Sequence, residues 1–277
     1  MNHDEATSLQ TLPVELLHDI QLLALSESLP FASRLLHNVY HSTSSVYRAK
    51  YIFFRLFDIT SETEMYTRAL RYPTCGREVF DLLRALILGR RGSQGGYGIG
   101  DRKDGKPKKR KRPGQFDIPR RLFKNLLERQ TNPWTGDDQP LPFLRHIFDT
   151  FKDDETIQPD VNANNGYALT KAVHIQSIPL IQFLLENGAD PEVKGSLAIM
   201  VAIRQKNLTL VKMLIERQGL AGSPAKSFGK KRKLEDRVKP DAKMLKVAVQ
   251  CKAQAITEYL YQEKGVVPDM QTLQAMM

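Results

Sequence analysis

Two histidines at helical spacing, His37 and His41, are the residues whose types and positions come nearest to a metal site. Side chains four residues apart lie on one face of a helix, and paired imidazoles can bind zinc. No Cys or carboxylate stands beside them in the sequence to complete a ligand set, so surface histidines are the commoner explanation. The acidic run 153–155 is typical of a solvated loop or helix end rather than of paired catalytic carboxylates. We therefore predict no catalytic residue, no metal, no cofactor and no enzymatic activity.

A glycine-rich stretch, residues 95–100, invites comparison with a nucleotide-binding loop. It lacks the flanking strand and the glycine spacing of such loops, so a linker is the better interpretation. Trp134, between Pro133 and Thr135, is either a loop anchor or an exposed contact residue, and the sequence leaves both open.

Two segments hold the excess positive charge. Residues 89–124 carry 13 Lys and Arg against three Asp and Glu, and residues 226–239 carry seven against two, whereas the whole chain has a net charge of +10. The rest of the chain is therefore mildly acidic, which argues against a broad basic face for a nucleic-acid duplex. Binding of nucleic acid through the basic segments themselves remains a lower-ranking alternative.

Both segments resemble signals for nuclear import by importin. The residues that carry the resemblance are Lys108, Lys109, Arg110, Lys111 and Arg112, and then Lys230, Lys231, Arg232 and Lys233. Because these stretches have few apolar residues, we predict disordered insertions at 89–115 and 221–240. The expected location is the nucleus, with shuttling to the cytoplasm left open.

Bulk composition sets further bounds. Two cysteines are too few for a disulfide scaffold and fit a reducing compartment. No apolar run is long enough to cross a bilayer, and Asp4 and Glu5 near the start do not fit a signal peptide. We therefore expect a soluble intracellular protein without a membrane partner.

Seven positions, nearly all apolar, recur at constant spacing in three stretches of the C-terminal half. They are Leu169, Ala172, Val173, Leu180, Ile181, Leu184 and Leu185; Ile199, Ala202, Ile203, Leu210, Val211, Leu214 and Ile215; and Leu245, Ala248, Val249, Ile256, Thr257, Leu260 and Tyr261. The first two stretches are 30 residues apart, and the third follows 46 residues after the second. Such a period predicts stacked helical hairpins, with the second basic insertion in a connecting loop.

These units resemble ankyrin repeats. Residues 184–191 match the helix end and turn of that family, and Gly188 suits a left-handed helix cap. Only Gly166 and Leu169 match the family's Gly-Thr-Pro-Leu-His opening, so we expect less rigid turns. His174 lies where the family's helices expose side chains, although a structural histidine is the commoner case. Residues 126–133 are similar in sequence to the second helix and turn of these units, and the corresponding first helix would be residues 77–88. An unrelated array of helical hairpins is the alternative.

The N-terminal segment resembles an F-box of the divergent fungal kind found ahead of ankyrin repeats. The match rests on Leu12, Pro13, Glu15, Leu16, Leu17 and Ile20. The resemblance implies that Leu12, Pro13, Leu16, Leu17 and Ile20 bind the small adaptor of a cullin-RING ubiquitin ligase through an apolar helix face. Thr11 is predicted to cap this helix, with Pro13 in its first turn. The alternative is a helical cap on the first repeat.

The sequence thus predicts an all-α chain with an F-box-like module at 8–55, a helical or degenerate repeat region at 70–88 and 116–151, and ankyrin-like repeats at 160–277. The expected function is protein recognition in the nucleus, as a substrate-recognition subunit of a ubiquitin ligase. An ankyrin-repeat scaffold or transcription-associated protein without a ligase role is the alternative.

Overall fold

The structure, a computed structural model, describes residues 9–93, 114–127, 133–154, 156–217 and 236–276. Within these ranges the chain is mostly helical, as predicted, and one pair of short strands forms a two-stranded sheet. The helices are α1 (Val14–Ala24), α2 (Arg34–His41), α3 (Ser45–Arg55), α4 (Glu62–Ala69), α5 (Arg77–Ser93), α6 (Arg121–Lys124), α7 (Leu141–Thr150), α8 (Ala163–His174), α9 (Ile178–Glu186), α10 (Val193–Arg204), α11 (Leu208–Ile215), α12 (Ala242–Gln250), α13 (Gln254–Glu258) and α14 (Met270–Met276). The strands are β1 (Gly114–Asp117) and β2 (Ile157–Asp160). None of the helices in these ranges is long and apolar enough to cross a membrane.

The chain divides into two compact units. Unit 1 comprises Met1–Pro119 and Phe143–Pro159, and unit 2 comprises Arg120–Pro142 and Asp160–Met277. The segment predicted to be F-box-like, residues 8–55, falls in unit 1, and the three stretches with recurring apolar positions fall in unit 2.

Unit 1 is built around four aromatic rings. The ring of Tyr66 lies 5.4 Å from that of Phe116 and 5.1 Å from that of Phe151, between centroids. Phe80 completes the group, 5.9 Å from Tyr66. These rings join α4, α5, β1 and the end of α7, and such pairs add to the free energy gained by burial.

Unit 2 contains three helical hairpins in series. Helix α9 packs on α8, α11 on α10 and α13 on α12, and the first helices contact one another in the order α8, α10, α12. All seven recurring positions of the first two hairpins are buried, as are Leu245, Ala248, Ile256 and Leu260 of the third. Neither helix of a hairpin is long enough to bury its apolar face alone, so neighbouring hairpins supply the cover.

The turn inside each hairpin has the same geometry. Gln176, Lys206 and Lys252, spaced by 30 and 46 residues, adopt φ of 56°, 56° and 53°. The amide after each one donates to a carbonyl five residues earlier, at 3.1, 3.2 and 3.0 Å. This is the Schellman arrangement that satisfies the last carbonyls of a helix, here formed without glycine. Gly188 adopts φ 86° in the corresponding turn after α9, as expected for a left-handed cap.

The entrances to α8 and α10 repeat as well. Residues 164–166 and 194–196 each form three consecutive left-handed residues, 30 apart in sequence. A Cβ on Gly166 would lie 3.2 Å from the Cβ of Val193, so glycine permits the first hairpin to approach the second closely. The first of these left-handed turns includes Gly166, one of the two residues that match the ankyrin opening.

Several predicted boundaries are wrong. Leu126 and Leu127 are not helical, so the echoed second helix does not begin there, while 128–132 lie outside the described residues. Helix α5 continues through 89–93, and β1 begins at Gly114, inside the predicted insertion 89–115. Residues 236–240 of the second insertion are described, and Val238 is buried.

Two residue assignments also change. Tyr261 is 45 % exposed and lies in a π-helical turn over Tyr259–Glu263, in which Tyr259 and Leu260 are the buried residues. Thr11 lies in a 3-10 turn, and Pro13 occupies the position that caps α1, so Thr11 is not the cap.

Candidate functional site

Helix α1 turns an apolar side outward. Leu16 is 48 % exposed and Leu23 is 84 % exposed, and Ile20, half-buried, lies between them at helical spacing. We call Leu16, Ile20 and Leu23 the α1 apolar face. The opposite side of the helix buries Leu17 and Gln21. A helix that buries a glutamine while it exposes leucines presents a surface suited to a partner.

The predicted adaptor-binding residues do not all lie on this face. Pro13 and Leu16 are exposed and Ile20 is half-buried, whereas Leu12 packs against the buried cluster of Leu17, Leu36 and Tyr40. Leu17 itself is 1 % exposed. The prediction that Leu17 contacts an adaptor is therefore corrected, because its side chain belongs to the core of the module.

Helix α3 explains why Gln21 of α1 can be buried. The hydroxyl of Tyr47 lies 2.9 Å from the carbonyl oxygen of His18 and 2.7 Å from Oε1 of Gln21, and these two acceptors share its one proton. The hydroxyl of Tyr51, one turn later, donates to the carbonyl of Ser26 at 3.0 Å. Burial is the main cause that raises the pKa of Tyr47, so this phenol stays a neutral donor.

Arg55 continues the series one turn further along α3. Its guanidinium donates to the carbonyl of Leu25 and pairs with Glu27. Leu25 ends α1 in the left-handed conformation, with φ 48°, which is unusual for a branched side chain. Residues Tyr47, Tyr51 and Arg55 therefore hold the C-terminal end of α1 in place, and with it the orientation of the α1 apolar face.

Comparisons with protein families, curated proteins and solved structures find no match for this chain. Function must therefore be inferred from the residues and their geometry.

A second set of contacts ties together the two ends of the insertion in unit 2. The amide of Arg237 donates to the carbonyl of Ile215 at 2.7 Å. The ammonium of Lys264 lies 3.1 Å from Glu216 and 2.9 Å from Asp236, which flank residues 218–235 on either side. The chain before and after residues 218–235 is therefore held together by direct contacts, and the two ends of the insertion lie close to each other.

Tyr259 also contacts the charged residues Glu216 and Lys264 of this cluster. Its hydroxyl donates to Glu216 at 2.9 Å, and the ammonium groups of Lys212 and Lys264 lie 4.7 and 5.4 Å from the centre of its ring. Burial raises the pKa of Tyr259, and the hydrogen bond to Glu216 raises it further. Burial alone would raise the pKa of Glu216, but its bonds from Tyr259 and Lys264 outweigh that effect and lower it.

The predicted nuclear-import residues, Lys108 to Arg112 and Lys230 to Lys233, lie outside the described residues. Trp134 is half-buried and its indole N–H donates to the carbonyl of Ile175 at 3.1 Å, which favours the loop-anchor interpretation. His174 is exposed.

His37 and His41 stack, with ring centroids 5.6 Å apart. No group of three or more His, Cys, Asp and Glu side chains in the described ranges could hold a metal ion. Asp154 accepts hydrogen bonds from the amides of Thr156 and Ile157 and so braces a turn.

Sequence reasoning missed the donors on α3. Their spacing, 47, 51 and 55, is a helical stripe that the sequence does contain. Tyrosine and arginine in such a stripe suit a buried face when carbonyls are available opposite, but the sequence alone does not reveal those carbonyls.

Proposed function

We propose that the chain is a protein-recognition subunit without enzymatic activity, in which the F-box-like module binds the adaptor of a cullin-RING ubiquitin ligase and ankyrin-like repeats bind a substrate. The observation that carries the proposal is the α1 apolar face, where Leu16 and Leu23 are exposed above a buried glutamine.

The repeat assignment is supported by recurrence in geometry as well as in sequence. Left-handed residues close the turn in all three hairpins, at Gln176, Lys206 and Lys252. Hydrogen bonds also join successive turns within unit 2. Gln205 donates to the carbonyl of His174 at 2.7 Å, and Asn162 donates to the carbonyl of Gly188 at 3.1 Å. Bracing of one turn by the next is what a stacked array of repeats requires.

Nuclear import through Lys108–Arg112 and Lys230–Lys233 is the second part of the proposal. The closed ends of the second insertion support it, because a segment that leaves and returns between Ile215 and Arg237 can be read by importin without disturbance of the hairpins. Changing both runs to glutamine should abolish nuclear accumulation of a fluorescently tagged chain. Accumulation that persists would rule out this part.

Adaptor binding is tested by a pull-down of the purified adaptor with the full chain. The double change Leu16→Asp and Leu23→Asp should abolish capture while the thermal midpoint stays unchanged, because both side chains are exposed. Val46→Asp is the matched control, since Val46 is 50 % exposed on α3 and should not affect capture. Absence of capture by the unaltered chain would sink the ligase proposal.

A scaffold without a ligase role is the second candidate, and one observation favours it. Residues at the end of unit 2 expose further apolar side chains, with Val267 at 78 %, Met270 at 79 % and Leu273 at 42 %. These residues give unit 2 a protein-binding surface of its own. If Met270→Asp removes every partner while the adaptor fails to bind, the scaffold is the better description.

A further inference from the structure

Unit 1 contains a cleft of about 790 Å³ that the proposed adaptor contact does not use. Its walls come from the end of α1, the 3-10 turn Leu29–Phe31, and from α2, α3, α4 and the turn that follows α4. Sites for small organic ligands have volumes of roughly 300–1,000 Å³. The α1 apolar face is separate, because Leu16, Ile20 and Leu23 do not line the cleft.

Aromatic rings make up much of the wall. The tyrosines are Tyr40, Tyr47, Tyr51 and Tyr72, and Phe31 stands exposed among them. Three of the hydroxyls donate to backbone carbonyls, those of Leu17, His18 and Ser26, at 2.9, 2.9 and 3.0 Å. Because the hydroxyl groups are engaged in these bonds, the rings are fixed and contribute apolar, polarisable surface to the cleft. Fixed rings lose little entropy when a planar group packs on them.

Four arginines line the same cleft, and they fall into two classes. Arg55 pairs with Glu27, and Arg68 pairs with Glu64 at 2.6 Å, so both acidic residues of the wall are neutralised. Arg48 is held by neutral acceptors, the carbonyl of His41 at 2.6 Å and Oγ1 of Thr43 at 3.2 Å. Arg71 is exposed, and neither Arg48 nor Arg71 pairs with a carboxylate of the described chain. Within the described residues, two guanidinium groups without a carboxylate partner thus lie beside the aromatic wall.

This combination determines the class of ligand. A guanidinium binds phosphate through two parallel hydrogen bonds and does so best where water is partly excluded. Aromatic side chains stack on planar heterocycles with little regard to their identity. We infer that the cleft binds a nucleoside phosphate, with its phosphate on Arg71 and Arg48 and its base against the tyrosine wall.

The test uses the full chain and defined probes. AMP, adenosine and ribose 5-phosphate are titrated by calorimetry at 0.15 M salt. AMP should bind at least tenfold more tightly than either fragment, because one favourable stacking contact or one charged pair is worth about that factor. Equal affinities for AMP and ribose 5-phosphate would overturn the role of the aromatic wall.

Variants separate the cleft from the basic runs, which attract any polyanion. Arg71→Glu should weaken AMP binding about tenfold or more, whereas Lys50→Glu, an exposed residue of α3 that does not line the cleft, should change it less than twofold. A chain with Lys108–Arg112 and Lys230–Lys233 changed to glutamine should bind AMP as the unaltered chain does. Loss of binding in that chain, or equal losses in the two glutamate variants, would overturn the inference.

Tyr72 provides the conservative test of stacking, since it is half-buried and Tyr72→Phe keeps the ring while it removes the hydroxyl, which lies 3.4 Å from Glu27 and also bonds to Arg55. Tyr72→Phe should retain AMP affinity, and Tyr72→Leu should reduce it about tenfold with an unchanged thermal midpoint. The Leu16→Asp, Leu23→Asp chain should bind AMP normally, so failure of adaptor binding and failure of the cleft are distinguishable. Equal affinity of the Phe and Leu variants would refute the stacking arrangement.

Discussion

Glycine at two of the hairpin turns is expected to stabilise unit 2. Lys206 and Lys252 are exposed and adopt φ of 56° and 53°. The left-handed conformation costs a residue with a Cβ about 1–2 kcal/mol of folding free energy, and glycine avoids this cost. Glycine gives back roughly 0.5–1 kcal/mol, because its unfolded chain has more conformational freedom. Lys206→Gly and Lys252→Gly should therefore each raise the free energy of unfolding by about 0.5–1 kcal/mol.

Gln176 has the same backbone conformation but a different expected outcome. Its Oε1 accepts a hydrogen bond from Nδ2 of Asn207 at 3.3 Å, which joins the first turn to the second. Gln176→Gly removes this bond, worth about 0.5–1.5 kcal/mol, so the gain and the loss should nearly cancel. Gly188→Ala, at φ 86°, should lower stability by about 1 kcal/mol.

The assay follows from the only tryptophan in the chain. Trp134 belongs to unit 2 and donates to the carbonyl of Ile175, inside the first of these turns, so its fluorescence reports unfolding of that unit. Urea midpoints are compared at constant slope. Lys206→Ala and Lys252→Ala retain a Cβ in the left-handed conformation, so they should not raise the free energy of unfolding. Glycine variants no more stable than these alanine variants would refute the reasoning.

Three further outcomes are expected. Lys264→Met should raise the pH at which Trp134 reports acid unfolding, because Glu216 loses a partner that lowers its pKa in the folded state. A carboxylate whose folded pKa is lowered stabilises the protein above its unfolded pKa, and that stabilisation is lost as the pH falls. An unchanged acid midpoint would contradict this. Replacement of residues 218–235 by four Gly and Ser residues should leave unit 2 folded and raise its unfolding free energy by about 1 kcal/mol, measured in urea, since Ile215 and Arg237 already meet; loss of folding would show that the insertion is structural. Ile203→Ala, at a fully buried position, should cost about 2–5 kcal/mol in the same assay, while Leu127→Ala, 77 % exposed, should have little effect.

The recurring apolar positions predict the core of unit 2 well where the helices are regular. Spacings of three, four and eight residues place these side chains on one side of each hairpin, and the first two hairpins bury all of them. The third hairpin departs at Val249 and Thr257, which are half-buried, and at Tyr261, which lies in the π-helical turn and is exposed. Periodicity assumes a regular helix, so it cannot anticipate that change.

The pairing of β1 with β2 also could not be predicted from the sequence. Each strand has four residues, and some forty residues separate them, so no local alternation or hairpin turn marks the pair. What places them is the aromatic core of unit 1, in which the ring of Phe116 in β1 packs edge-to-face against that of Phe151, shortly before β2, with centroids 5.1 Å apart. Contacts of this kind depend on the fold as a whole and leave little trace in the order of residues.

The orientation of α1 shows why the candidate site was only partly predictable. The sequence identifies an apolar stripe on this helix, and a stripe of leucines ordinarily indicates the buried side. The structure instead buries Leu17 with Gln21, because Tyr47 supplies a hydrogen bond to the buried amide of Gln21 and Tyr51 supplies one to the carbonyl of Ser26, just past the end of α1. Since α3 packs on the side of α1 that carries Gln21, Leu16 and Leu23 on the other side are left exposed. The exposure of Leu16 and Leu23 is therefore a consequence of the tyrosines on α3. Tyr47→Phe, which removes one of the hydroxyls, should weaken the packing of α1 on α3 although it changes no residue of the α1 apolar face.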